Sequence, residues 1–330
     1  MKVILRDADL SDDYLRCCAQ IGCDGFDVMN ARNFPSVLEQ GYVDLNEMRA
    51  LRQRIEGWGM SIHCVMPPAP VRYLQGAPGG EAEAENLGRS VEALGRAGVP
   101  LVMIRAHLVE LGSNPGRTHA RGKGVHRGGY TGTRFDLAAM RRELETRPAD
   151  CVVDVEAHYE RSLRLFRRLV PIAAEHGTRL ILHPSDPPLH DSEWSPRRWS
   201  DIVDDVASPH FGLLYCIGTR FETGINIYDD IRAFARRGAI LHTHFRNVRG
   251  TIPAIGGYDE MALGDGDMNM FKILLTLRAA GYDGGLQVDH LPVFAADTPF
   301  KGIASGYSVA YIRALLAALE AVPAGAVPVP

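Results

Sequence analysis

Short runs rich in Val, Ile and Leu recur from one end of this chain to the other, each separated from the next by a longer amphipathic stretch. The runs are KVILR (2–6), GFDVM (25–29), SIHCVM (61–66), PLVMIRAH (100–107), RLILH (179–183), FGLLYCIG (211–218), AILHTHF (239–245) and GGLQVDH (284–290). Most are continuous in hydrophobicity, as strands covered on both faces are, rather than alternating like half-exposed ones. Segments such as EMRALRQRIEGWG, HYERSLRLFRRLVPIAAEHG and MFKILLTLRAAG carry helical periodicity between them and close on Gly. Eight strand–helix alternations predict a parallel sheet closed on itself, a single (β/α)8 barrel over residues 1–320, with the Pro/Ala-rich 321–330 as a frayed tail. The competitor is an open doubly wound sheet, which would carry a Gly-rich phosphate loop after its first strand; RDADLSDD stands there instead.

Composition narrows the partners. A formal net charge of -4 argues against a nucleic-acid binder, and no run approaches the roughly 20 apolar residues needed to span a bilayer. The N-terminal MKVILRDADLSDDYL turns acidic too soon for a secretory signal. Cys17, Cys18, Cys23, Cys64, Cys151 and Cys216 show no C-x-x-C pairing and read as reduced thiols, so a cytoplasmic protein is expected. A homo-oligomer is compatible with such a barrel, but no sequence feature fixes an interface.

The strand ends carry the chemistry. His183 closes the fifth run, Cys216 lies near the end of the sixth, His244 near the end of the seventh, and Asp289 at the end of the eighth. Any one of these has an ordinary explanation; a lone strand cysteine is usually a small buried hydrophobe. Four metal-ligating side chains at the same end of consecutive strands are harder to explain that way. Neighbouring strands lie about 4.8 Å apart, so such groups converge on one ion. His242 points to the same face as His244, and the two could exchange roles.

A long segment, HLVELGSNPGRTHARGKGVHRGGYTGTRF, follows the fourth run. It carries Arg117, Arg121, Lys123, Arg127 and Arg134 against a single Glu110. It reads either as a solvated loop or as a cationic lid over an anionic substrate at the end of the barrel where such folds place their chemistry.

Taken together, HPSDPP (183–188), YCIGT (215–219), HFRNV (244–248), ALGDGDM (262–268), VDH (288–290), GYSVAYIRAL (306–315) and RGGYTG (127–132) resemble the mannonate dehydratases in order and spacing. That family consists of metal-dependent TIM barrels related to the xylose-isomerase-like superfamily, which dehydrate D-mannonate to 2-keto-3-deoxy-D-gluconate. The resemblance is strong over about 179–315 and weak over the first hundred residues. It implies His183, Cys216, His244 and Asp289 as metal ligands, the set that the strand ends select independently. It further implies His290 and Tyr307 as the acid/base pair, and Arg246, Asn247, Arg127 and Gly128 as substrate-binding. Manganese is the implied ion, with Fe2+, Co2+, Zn2+ and Mg2+ as alternatives, and the implied partner is a small anionic sugar acid. The chain departs from the family pattern at Ser185, Gln287 and Leu291, and at Tyr258-Asp259, where a His-Glu pair is usual; these differences bear on which sugar acid is held. A metal-dependent isomerase or epimerase of the same superfamily and a non-catalytic sugar-acid-binding barrel are the rival readings.

Overall fold

The computed structural model describes residues 1–7, 9–107, 121–145 and 154–323. Eight parallel strands form a closed barrel in the order β1-β12-β9-β8-β7-β4-β3-β2. They are β1 (Lys2–Arg6), β2 (Gly25–Val28), β3 (Ser61–Val65), β4 (Leu101–Met103), β7 (Arg179–Leu182), β8 (Phe211–Cys216), β9 (Ile240–Phe245) and β12 (Gly285–Val288). Each lies within one of the eight apolar runs. The fourth and sixth runs are shortened: PLVMIRAH keeps only three residues as strand, and the Ile-Gly of FGLLYCIG already belongs to the helix Ile217–Glu222. All six residues of β8 are buried, as a strand sandwiched between helices and barrel interior requires.

Four further strands were not foreseen. β5 (Arg121–Val125), β6 (Thr131–Asp136), β10 (Asn247–Arg249) and β11 (Gly257–Met261) make an antiparallel sheet in the order β10-β11-β6-β5. The described part of the basic segment is therefore a hairpin, with Arg127–Gly129 at its turn, rather than an irregular loop. Residues 108–120 with Arg117, the stretch 146–153 with Cys151, and 324–330 of the expected tail lie outside the described residues.

The chain divides into two compact units. One takes in the described residues of 25–117 and 147–214. Its core is built from strand residues such as Val65, Val102, Leu180 and Ile181 and from the buried face of the helix Val155–Glu175, Leu165, Phe166 and Leu169. Trp199 and Trp194 are fully buried, and their indole N–H groups donate to Leu182 O (3.1 Å) and Ala106 O (2.8 Å), so neither ring strands a donor.

The other unit takes in the described residues of 1–24, 118–146 and 215–330. It holds β1, β12 and β9 in register, with Ile4 opposite Gln287 and Gln287 opposite His244. The helix Gly302–Glu320 is long and apolar enough by length and composition to cross a membrane, but it packs on β1 and β12 and buries Ala304, Val309, Ile312 and Leu319 there. Asn269 caps the helix Met270–Ala279, its side chain accepting from Lys272 N–H.

Behind β8 the same unit buries an ion pair. Arg220 holds Asp230 through Nε (2.9 Å) and Nη2 (2.8 Å), and the Tyr215 hydroxyl donates to the same carboxylate at 2.6 Å. Removing one member would leave a buried guanidinium without its counter-ion, which costs far more than the pair contributes. Asp230→Ala is expected to lower unfolding stability by about 3 kcal/mol or more, read as a fall in the urea midpoint with an unchanged slope.

Candidate metal centre

The centre is organised around a buried guanidinium. Arg246 is the single residue between β9 and β10, where the chain leaves the barrel for the small sheet, and it is 2% exposed. A charge in that position needs partners, because bare burial costs many kcal/mol. Arg246 finds them on several elements. Its Nη1 lies 2.8 Å from Glu222 Oε1 and 3.7 Å from Glu260 Oε1, its Nε 3.6 Å from Asp289 Oδ2. Nε–H donates to Cys216 Sγ at 3.2 Å, and Nη2–H donates to Thr219 Oγ1 at 2.7 Å. Gly218 makes room for this: a Cβ there would stand 2.8 Å from three Arg246 side-chain atoms.

Three of the four expected metal ligands meet beside this guanidinium. Asp289 follows β12, and its Oδ2 is 3.2 Å from His244 Nδ1; His244 and Cys216 bring ligand atoms within 4.8 Å of each other. Burial pushes the Cys216 thiol up, but Arg246 and His244 more than offset it, so the thiol ionises more easily than usual. Asp289 shows the same contest. Burial works against its charge, while His244, His290 and Arg246 together hold its carboxyl well below the usual range. The expected fourth ligand, His183, lies in the other unit, directly after β7, with Nδ1 2.6 Å from Pro184 O.

His290 stands next to Asp289 in the left-handed region (φ 48°), a conformation that a non-glycine residue adopts at a cost. Its Nδ1 is 2.5 Å from Glu260 Oε1 and its Nε2 3.5 Å from Asp289 Oδ2. Burial lowers its pKa, yet Asp289 and Glu260 raise it to about 9.

The remaining expected residues sit on the small sheet, on the turns around it and on the helix Gly302–Glu320. Tyr307, on the helix Gly302–Glu320, accepts a hydrogen bond from Gly264 N–H (3.2 Å) and stacks with Tyr311. Asn247 is buried, and its amide is spent on backbone: Nδ2 donates to Leu263 O and Met268 O, and Oδ1 accepts from Val248 and Met268 N–H. It thereby pins the 263–268 turn, and Gly266 passes so close that a Cβ would reach Asn247 Oδ1 at 2.2 Å. Arg127 is largely exposed and donates from Nη2 to both carboxylate oxygens of Asp265, at 3.0 and 3.1 Å, while Gly128 takes φ 66° in the hairpin turn.

Glu222, Glu260 and Thr219 were missed. Thr219 and Glu222 were within reach of helical spacing, since Thr219 stands three residues after Cys216 and Glu222 three after Thr219 in the helix Ile217–Glu222. Glu260 was overshadowed by its neighbours Tyr258 and Asp259.

The donor set fits a divalent metal ion. A thiolate sulfur, an imidazole and a carboxylate are all ligand types. Beside them Glu260 Oε1 lies 2.5 Å from His290 Nδ1, 3.7 Å from Arg246 Nη1 and 3.8 Å from Arg121 Nη1.

The family described as Xylose isomerase-like TIM barrel matches residues 15–290. The chain belongs to that family. Among relatives, a mannonate dehydratase of Geobacillus thermodenitrificans (strain NG80-2) is 32% identical over 142 residues, 39% of this chain and 36% of the relative. The chain thus matches well under two thirds of that relative's length. Within the solved structures of the fold, a mannonate dehydratase of Streptococcus suis serotype 2 aligns with TM-score 0.81 at 22% identity, covering 100% of this chain and 97% of that one. A D-psicose 3-epimerase of Clostridium cellulolyticum H10 aligns with TM-score 0.62 at 15% identity, covering 96% and 99%. At such identities the structural likeness shows the barrel alone.

Gly218 gives a direct check on the Arg246 arrangement. Gly→Ala inside a helix ordinarily gains about 1 kcal/mol. Here the new methyl would press on Arg246, and Gly218→Ala is expected instead to lose about 1–3 kcal/mol by overpacking, measured by chemical denaturation. A stabilised variant would mean that Arg246 does not lie across Gly218.

Proposed function

We propose that this protein is a metal-dependent sugar-acid dehydratase acting on D-mannonate or a close epimer, with His183, Cys216, His244 and Asp289 holding the ion. The observation that carries the reading is the sulfur, imidazole and carboxylate gathered around buried Arg246. His183, Cys216 and His244 have the composition of a metal-holding group, and β7, β8, β9 and β12 are consecutive in the barrel order. Local identity to a named mannonate dehydratase supports the same substrate class.

The reaction breaks the C–H bond α to the carboxylate and the neighbouring C–OH bond, releases water, and leaves an enol that becomes the 2-keto-3-deoxy acid. A divalent cation bound there would offset the negative charge that develops on the substrate carboxylate as the α-proton leaves. The protein must move two protons. His290 is one carrier: Glu260 fixes its Nδ1 side, and the strained backbone at φ 48° fixes where the ring points. Tyr307 is the other, with a hydroxyl that accepts from Gly264 N–H. Arg246, neutralised by Glu222, holds the thiolate and Asp289 in place rather than competing for the substrate. Manganese is the ion we propose, with Fe2+, Co2+, Zn2+ and Mg2+ to be compared.

The deciding measurement is turnover of D-mannonate and its C2 and C3 epimers after chelation and after adding back each ion. Loss on chelation, recovery with Mn2+, and abolition by Cys216→Ala together with lost metal stoichiometry are expected. Full metal occupancy with no 2-keto-3-deoxy product from any aldonate would sink the dehydratase reading, and turnover of a ketose in the same assay would put an epimerase in its place.

A further inference from the structure

Cys216 has more hydrogen-bond donors than a metal ligand requires. Thr219 Oγ1–H donates to its sulfur at 3.0 Å, and Arg246 Nε–H does so at 3.2 Å. The two donors are themselves linked, since Arg246 Nη2–H donates to Thr219 Oγ1 at 2.7 Å, and Glu222 Oε1 holds Arg246 Nη1 at 2.8 Å. Cys216, Thr219 and Glu222 are 0% exposed and Arg246 2%. A carboxylate, a guanidinium, a hydroxyl and a sulfur thus form one buried network, an ion pair leading into hydrogen bonds that end on the sulfur.

A helical Thr commonly satisfies itself by bonding a backbone carbonyl one turn back. Here the hydroxyl goes to a side-chain sulfur, and a second donor arrives at that sulfur from the end of β9. The intervening Gly218 lacks the Cβ that would block Arg246. Three independent positions therefore serve one atom.

Hydrogen bonds to a thiolate draw electron density from sulfur and make it a poorer donor to a metal. Thiolate donation is what most favours zinc over harder ions. We propose that Thr219 and Arg246, locked by Glu222, are positioning residues that weaken the Cys216 sulfur and so shift the ion preference of the centre away from zinc toward harder divalent ions such as Mn2+. The inference rests on the metal reading given above.

Cobalt substitution tests it without relying on turnover. A cobalt ion bound by Cys216 gives a sulfur-to-cobalt charge-transfer band in the near ultraviolet. Thr219→Val and Thr219→Ala remove one donor, so the band should move to longer wavelength. The ratio of zinc to manganese affinity, from direct competition, should rise about tenfold, in line with the usual effect of residues behind a ligand. Thr219→Ser, which keeps the hydroxyl, should restore both. An unmoved band in both the Val and Ala variants overturns the inference, as does a loss of cobalt binding that Ser fails to restore, since the methyl group would then be what matters. Absence of any sulfur-to-cobalt band in the unmodified protein is a different failure: it removes Cys216 from the metal centre altogether.

Discussion

Burying the guanidinium of Arg246 is the constraint from which most of this centre follows. An arginine that is 2% exposed must be surrounded by acceptors, and the fold supplies them from four places: Glu222 and Thr219 after β8, Glu260 on β11, Asp289 after β12, and Cys216 at the end of β8. None of these carboxylates would be tolerated at such depth alone. Together they compensate one another, and the cluster brings Cys216, His244 and Asp289 together beside Arg246. Such preorganisation is what the proposed metal centre would need, because ligands that must be gathered at binding weaken it.

The position of Arg246 in the chain also explains how a parallel barrel acquires an antiparallel sheet. β9 pairs with β12 in the barrel, and two residues later β10 pairs with β11 in the other direction. The change of partner happens across Arg246, which stays inside while the backbone turns outward. Asn247 completes the junction by fastening the 263–268 turn, and β11 returns with Glu260 to close the ring of charge. The same return places Glu260 against His290, so the arginine that orders Cys216 also shares a carboxylate with the proposed proton carrier.

Much of this could be read from the sequence, and the residues show why the rest could not. The barrel strands were visible because parallel strands are apolar on both faces and stand out from amphipathic helices. The candidate ligands stood out because polar side chains at the ends of such strands are exceptional. The small sheet was not: RGKGV and TGTRFD show neither a hydrophobic run nor a clean alternation, and although they pair with each other, the second partner of TGTRFD, β11, lies more than a hundred residues away. Glu222 and Glu260 were hidden for the same reason. A carboxylate on a helix or a short strand looks solvated until its partner, Arg246, is known to pass beside it.

The basic hairpin shows where composition misleads. Counted along its own segment, its cations face almost no acid, which suggests a lid of free positive charge. In the folded unit Arg134 is held by Asp259 through a bidentate pair at 2.6 and 2.7 Å, Arg127 by Asp265, and Arg121 lies 3.8 Å from Glu260. These acids come from β11 and the turn that follows it, so the charges first serve to dock the hairpin. A substrate carboxylate reaching Arg127 would have to take the place of Asp265. Such an exchange swaps one charged pair for another at an exposed position, where each is worth little. Under the proposed function, recognition of an anion there would be easily reversed, and tight discrimination between sugar acids would fall to the buried residues around Arg246, where an unmatched hydroxyl or charge has no water to turn to.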